Sequence, residues 1–137
     1  MVAKNSLADN VEAFAPRVRA GRPGARRVRV AFRSGESTFY PFLDEVIWIQ
    51  ARRNYSQVNV CGASFTVREI LASLERRLAQ YGFFRVQRSA IINLDHVVEI
   101  RRERRGHYAV LLSDGSSVIA PAAVKDRIEQ LLTDWSS

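Results

Sequence analysis

Apolar and polar residues alternate from Arg27 onward. Val28, Val30 and Phe32 fall between arginines, which predicts a half-buried strand. Ser34-Gly35-Glu36 predicts a turn, Thr38 to Phe42 a returning strand, and Leu43-Asp44-Glu45 a helical turn. Val46 to Ala51, VIWIQA, is apolar but for Gln50, has strand length and predicts a buried strand. Alternation resumes from Tyr55 to Val60, so Arg52-Arg53-Asn54 reads as a polar tip between two strands. Cys61, in the run QVNVCG, reads as a small buried strand residue; as the single cysteine it has no internal disulfide partner.

The period then lengthens. Val67, Ile70, Leu71, Leu74 and Leu78 share one helical face, and Thr66-Val67-Arg68-Glu69 has the spacing of a capping box. These predict a helix from about Val67 to Ala79, ended by Gly82 and covering a sheet face. Strands follow at His96 to Arg102, His107 to Leu112 and Val118 to Ala120, with turns at Gly106 and Asp114-Gly115. Pro121 opens a second helix, with Val124, Ile128, Leu131, Leu132 and Trp135 on one face. The stretch before Arg27 has another texture. Leu7, Val11 and Phe14 predict a short helix from Leu7 to Phe14 with Ser6 as its cap, and Arg17 to Ala25 reads as a linker. Residues 1–26 are thus an N-terminal extension, and 27–137 one domain of mainly β, α+β class.

Charge adds a partner to this outline. The formal net charge is +7, and only Lys4 and Lys125 are lysines, so the cationic groups are almost all guanidinium. That favours a polyanion, either nucleic acid or an anionic membrane surface, and forked contacts to phosphate and guanine. A GC-rich genome would raise Arg over Lys without explaining the net charge. Seven arginines lie from Arg17 to Arg33 with no acidic residue among them; they suit either a basic arm or a solvated tether. No run approaches the roughly 18 apolar residues of a membrane span. The N-terminus lacks the apolar core of a secretory signal, so a cytoplasmic protein is expected.

The most informative segment is Phe83 to Ile100, FFRVQRSAIINLDHVVEI. An aromatic pair and an apolar run flank the polar step Gln87-Arg88-Ser89, an arrangement suited to a recognition loop. The unit resembles the signature of LytTR domains, the DNA-binding output modules of many bacterial response regulators. Phe83, Phe84, Arg85, Arg88, Ser89, Ile91, Ile92, Asn93, Leu94, Asp95 and His96 stand in its register. The resemblance covers roughly Arg27 to Leu132. It implies an elongated stack of small antiparallel sheets with one main helix and a C-terminal helix, without a helix-turn-helix.

The resemblance also implies that loops, not a helix, reach the grooves of DNA. The first candidate loop is Arg52, Arg53, Asn54, Tyr55 and Ser56, with Arg53 and Asn54 suited to guanine and adenine edges. The second is Gln87, Arg88 and Ser89, with Arg88 at the Arg of the signature and Arg85 bracing the fold. The ordinary alternative for each is a phosphate contact, an ion pair or a solvated turn. A third loop departs from the family, which usually has basic residues after the last strand where this chain has Pro121-Ala122-Ala123. Gln87 stands where His is common and Ala90 where Tyr is common. Arg101, Arg102, Arg104 and Arg105 flank the Gly106 turn and suit phosphate or a charged hairpin tip; Glu99 and Glu103 are candidates to pair with them.

Catalysis finds little in the chain. Neither His96 nor His107 has a Cys or carboxylate at ligand spacing, so no metal site is expected. Asp95-His96 lies between apolar runs and reads as a turn capped by Asp95, not an acid-base pair. Ser89 has no nearby base, and GRPG at Gly21 to Gly24 is a linker, not a phosphate cradle. The expected protein is no enzyme and needs no cofactor. It is a sequence-specific regulator of transcription whose partner is double-stranded DNA, with a homodimer on repeated sites and a regulatory protein left open as further partners. The 26 residues ahead of the fold are too few for a receiver domain, so the chain reads as a free-standing regulator or an output half. The competing reading is a LytTR-like interaction module that tunes another regulator, using the apolar faces of the N- and C-terminal helices.

Overall fold

A computed structural model describes residues 27–136. The expected helix at Leu7 to Phe14, the linker and the part of the basic run before Arg27 lie outside the described residues. Strand β1 (Phe32–Ser34) and strand β2 (Ser37–Phe39) form a hairpin around Gly35, whose φ of 63° suits a residue without a Cβ. A 3-10 turn at Leu43–Glu45 leads into β3 (Val46–Ala51), followed by β4 (Ser56–Val60) and β5 (Ala63–Val67). Helix α1 (Leu71–Leu78) ends in a 3-10 turn, Ala79–Tyr81, closed by Gly82 at φ 88°. The signature segment then forms β6 (Phe83–Gln87), β7 (Ala90–Asn93) and a 3-10 turn at Leu94–His96. Strands β8 (Val97–Arg104), β9 (His107–Leu112) and β10 (Ser117–Pro121) precede helix α2 (Ala122–Ser136).

The ladders are antiparallel and gather into three small sheets: β1-β2, β10-β9-β8, and a central five-stranded sheet ordered β5-β4-β3-β7-β6. Alternation along the central strands sends side chains to two cores. Ile49, Val58, Phe65 and Ile91 pack with Leu71, Leu74 and Leu78 of α1 and with Phe32. Ile47, Ile92, Val86 and Leu94 pack with Val110, Leu112 and Val118 of the second sheet and with Ile128 of α2. Each fully buried Leu or Ile contributes about 1.5–3 kcal/mol, so the central sheet is held from both faces.

Four local expectations are corrected. The first strand is shorter than the alternation suggested: only Phe32–Ser34 pairs, with an isolated bridge from Arg29 to Phe42 before it. Pro41 has no N–H, so the returning chain cannot extend the ladder there. No capping box forms at Thr66: that residue lies in β5, opposite Gln57 of β4, and the helix begins after Ile70 without a side-chain cap. The Glu69 carboxylate instead accepts from Ser73 and Arg77. Cys61 sits half-buried in the turn between β4 and β5 and not within a strand. The cap of the Leu94–His96 turn is Asn93, whose Oδ1 accepts from the backbone N–H of Asp95, the expected cap, at 3.0 Å.

Candidate nucleic-acid interface

The pairing of β3 with β7 decides which loops meet. Gln50 lies opposite Ala90, so the exit of β3 and the entry of β7 share one end of the central sheet. The Ala51 N–H donates to the Ser89 carbonyl at 2.9 Å. The loop after β3 and the turn before β7 are therefore neighbours, although 35 residues separate Arg53 from Arg88 in the chain (88 minus 53).

The first loop is closed by the Arg52 N–H, which donates to the Tyr55 carbonyl at 2.7 Å. The Arg52 guanidinium donates to Gln57 Oε1 from Nε at 3.0 Å and from Nη2 at 2.8 Å. Gln57 in turn donates to Asn59 Oδ1, so the Arg52 fork is held along the surface of β4. Arg53, Asn54 and Tyr55 are exposed at the tip. Ser56, named with this loop, is corrected: it is 1% exposed and its hydroxyl donates to the Glu69 carbonyl at 2.7 Å. It is in phase with the inward Val58 and Val60, a signal already present in the alternation of β4.

The second loop is braced from below. The Arg85 guanidinium donates to the carbonyls of Gln87 at 3.0 Å and Arg88 at 2.8 Å, and pairs with Glu75 at 2.9 Å. This is the bracing role expected of it. Gln87 Nε2 donates to the Ile119 carbonyl at 3.1 Å and so ties the loop to β10; Gln87 Oε1 accepts from the Ser89 hydroxyl at 3.3 Å. The Arg88 backbone is thus fixed while its side chain is exposed. Among the described residues, Arg53, Asn54 and Arg88 have no side-chain hydrogen bond or ion pair. Their donors and acceptors face outward without internal partners, and neither loop contains a carboxylate to oppose an anion. Sequence reading had no signal for the Ala51–Ser89 contact or the Gln87–Ile119 contact, because both need the topology.

The remaining motif residues serve the fold. At the opposite end of the sheet, Asn93 Nδ2 donates to the carbonyls of Val46 at 2.8 Å and Leu43 at 3.3 Å. His96, 3% exposed, donates from Nε2 to the Asp44 carbonyl at 2.8 Å, and its Nδ1 meets the Ser113 hydroxyl at 2.6 Å. Both ring nitrogens of His96 thus serve the fold. Arg27 pairs with Asp44 at 3.0 Å and stacks 3.8 Å from the Phe42 ring, so this member of the basic run is structural. Among the described residues no group of His, Cys, Asp or Glu is placed to hold a metal ion. Nor is any described helix long and apolar enough to cross a membrane.

A β-rich domain that offers sheet-end loops, with no helix-turn-helix among its described elements, defines a narrow class. Residues 36–133 match the family model of the LytTr DNA-binding domain, and the chain belongs to that family. The fold is similar to the LytTr DNA-binding domain of a methyl-accepting/DNA response regulator from Bacillus cereus. That match has a TM-score of 0.65 at 19% identity and covers 79% of this chain and 98% of the other. The sequence is 35% identical over 96 residues to the CO-responsive transcriptional regulator RcoM of Rhodospirillum rubrum, covering 70% of this chain and 40% of that protein. It is 25% identical over 104 residues to the sensory transduction protein LytT of Bacillus subtilis, covering 76% of this chain and 43% of that protein. The chain thus spans about two fifths of the length of these curated relatives.

Proposed function

We propose that this domain binds double-stranded DNA in a sequence-specific way to regulate transcription, reading the major groove with its two adjoining loops. The observation that carries this reading is the pairing of fixed backbone with free side chain. Ala51, Ser89 and Arg85 hold the loops, while Arg53, Asn54 and Arg88 present unpartnered forks and an amide. A guanidinium suits guanine O6 and N7, and an Asn amide suits adenine N6 and N7. Fixing the backbone beforehand lowers the ordering cost of binding. Arg52, already held by Gln57, suits a phosphate contact that sets orientation, not sequence. The name of RcoM, a transcriptional regulator, supports a role in transcription.

Duplex binding measured across salt concentration tests it. With a net charge of +7, the slope of log K against log salt is expected at about −4 to −7, or about five to eight neutralised phosphates. A slope near zero, or no duplex binding at low salt, overturns the reading in favour of a protein-interaction module.

A further inference from the structure

The register of the second sheet brings another charged element into the same row. Pro121 lies opposite His107 in the β9–β10 ladder, and Arg104 lies opposite His107 in the β8–β9 ladder. The β8–β9 tip therefore stands beside the end of β10, about 10 Å or two interstrand spacings from Pro121. The end of β10 is joined to the second loop through Gln87 and Ile119. From the first loop the row runs through Gln87-Arg88-Ser89 and Pro121-Ala122-Ala123 to the tip at Arg104-Arg105-Gly106-His107.

Within that row the step Pro121-Ala122-Ala123 is exposed and uncharged. The nearest cations on α2 are engaged. Lys125 lies 4.7 Å from the centre of the Tyr108 ring and pairs with Asp126 and Glu129, and Arg127 donates to Gln130. On β8, Arg101 is paired with Glu99 at 3.1 Å. Arg102, Arg104 and Arg105 are exposed and have no side-chain partner among the described residues; Glu103 is the one carboxylate beside them. The tip itself is shaped: Gly106 takes φ 76°, and His107 Nδ1–H donates to the Arg105 carbonyl at 3.1 Å.

We propose that Arg104 and Arg105 at this tip contact the phosphate backbone of the same duplex, beyond the uncharged step and on the far side of Arg88 from the first loop. The inference rests on the DNA-binding reading above. It assigns the tip affinity without base information, because a contact to phosphate carries no sequence.

The experiment uses the full 137-residue chain and two probes. One is a duplex selected from random sequence by the wild-type protein, the other a scrambled duplex of equal length. Arg104→Gln with Arg105→Gln is expected to weaken both to a similar degree, by about 10- to 30-fold at 0.15 M salt, and to flatten the salt slope by about 1.8. Arg104→Lys with Arg105→Lys should keep the slope, and the thermal midpoint of both variants should match wild type. An unchanged slope in the Gln variant, while Arg88→Ala still loses preference for the selected duplex, overturns the tip proposal alone. Failure of the wild type to bind either duplex overturns the tip proposal and the DNA reading together.

Discussion

The two ends of the central sheet use the same kinds of residue in opposite ways. At one end Arg53, Asn54 and Arg88 are exposed and have no internal partners among the described residues. At the other, Asn93 and His96 are buried, and each makes hydrogen bonds that stitch the Leu43–Glu45 turn and Ser113 to the signature segment. One stretch, Phe83 to His96, supplies both ends, with Arg88 at its turn and Asn93 and His96 at its exit. Membership in a motif therefore does not assign a role. What separates a binding residue from a building one is whether its hydrogen-bonding groups are satisfied within the protein.

The largest effect expected from this contrast is at the closed end. Asn93→Ala removes a donor to two carbonyls and an acceptor for the Asp95 N–H in a site 2% exposed. Buried groups left without partners cost about 1–3 kcal/mol each, so destabilisation of about 3 kcal/mol is expected. The thermal midpoint should fall by more than about 10 °C for a domain of this size. A midpoint within a degree or two of wild type would show that the closed end is dispensable and break the contrast.

The open end should give the converse result. Arg88→Ala is expected to cost about 1–3 kcal/mol in affinity for a selected duplex and to relax preference at one base position. Its thermal midpoint should barely move, since the side chain is exposed and only the Arg88 carbonyl is held, by Arg85. Duplex titration beside thermal melting checks both halves. A large loss of midpoint with unaltered binding by the folded fraction would make Arg88 a structural residue and reverse its assignment.

The same contrast explains what could be read from the chain. Strand β3 was legible residue for residue because its first four residues, VIWI, are apolar on both sides of the pleat, as a central strand held by two cores requires. Helix α2 was legible from its spacing and from Pro121. Strand β5 was not, because Ala63–Val67 places polar Ser64 and Thr66 between its buried positions and ends in a false capping box. Its pairing with β4 outweighed the local signal. At the site, Arg53, Asn54 and Arg88 were legible as polar points between apolar strands. The burial of Ser56 was legible in its phase with Val58 and Val60, and the contact that joins the loops was not legible at all.

The smallest effect belongs to a third class of polar contact, half-exposed, at the Glu69 carboxylate beyond β5. Burial alone would raise the Glu69 carboxyl. Hydrogen bonds from Arg77 and Ser73, with the charges of Arg77 and Arg76, outweigh this and hold it below the usual carboxylate range. The pair closes at 2.8 Å, and Arg77 also donates to the Ala31 carbonyl, so the last turn of α1 is tied both to the chain before β1 and to the segment that leads into the helix. A carboxyl whose folded value is depressed contributes stability that is full above its unfolded value, near 4.3, and lost as pH falls through the folded value. Arg77 is 38% exposed at its side chain, so water and salt screen the pair, and its contribution should stay below about 1 kcal/mol. Urea unfolding of wild type and Glu69→Gln at pH 7 and pH 3 checks the sign. Wild type should be slightly the more stable at pH 7, and the difference should shrink towards zero at pH 3 as the wild-type carboxyl takes up its proton. A difference that grows on acidification would mean that Glu69 stabilises the fold in its protonated form, and the pair would then belong with the closed, fully satisfied contacts at the Asn93 end of the sheet.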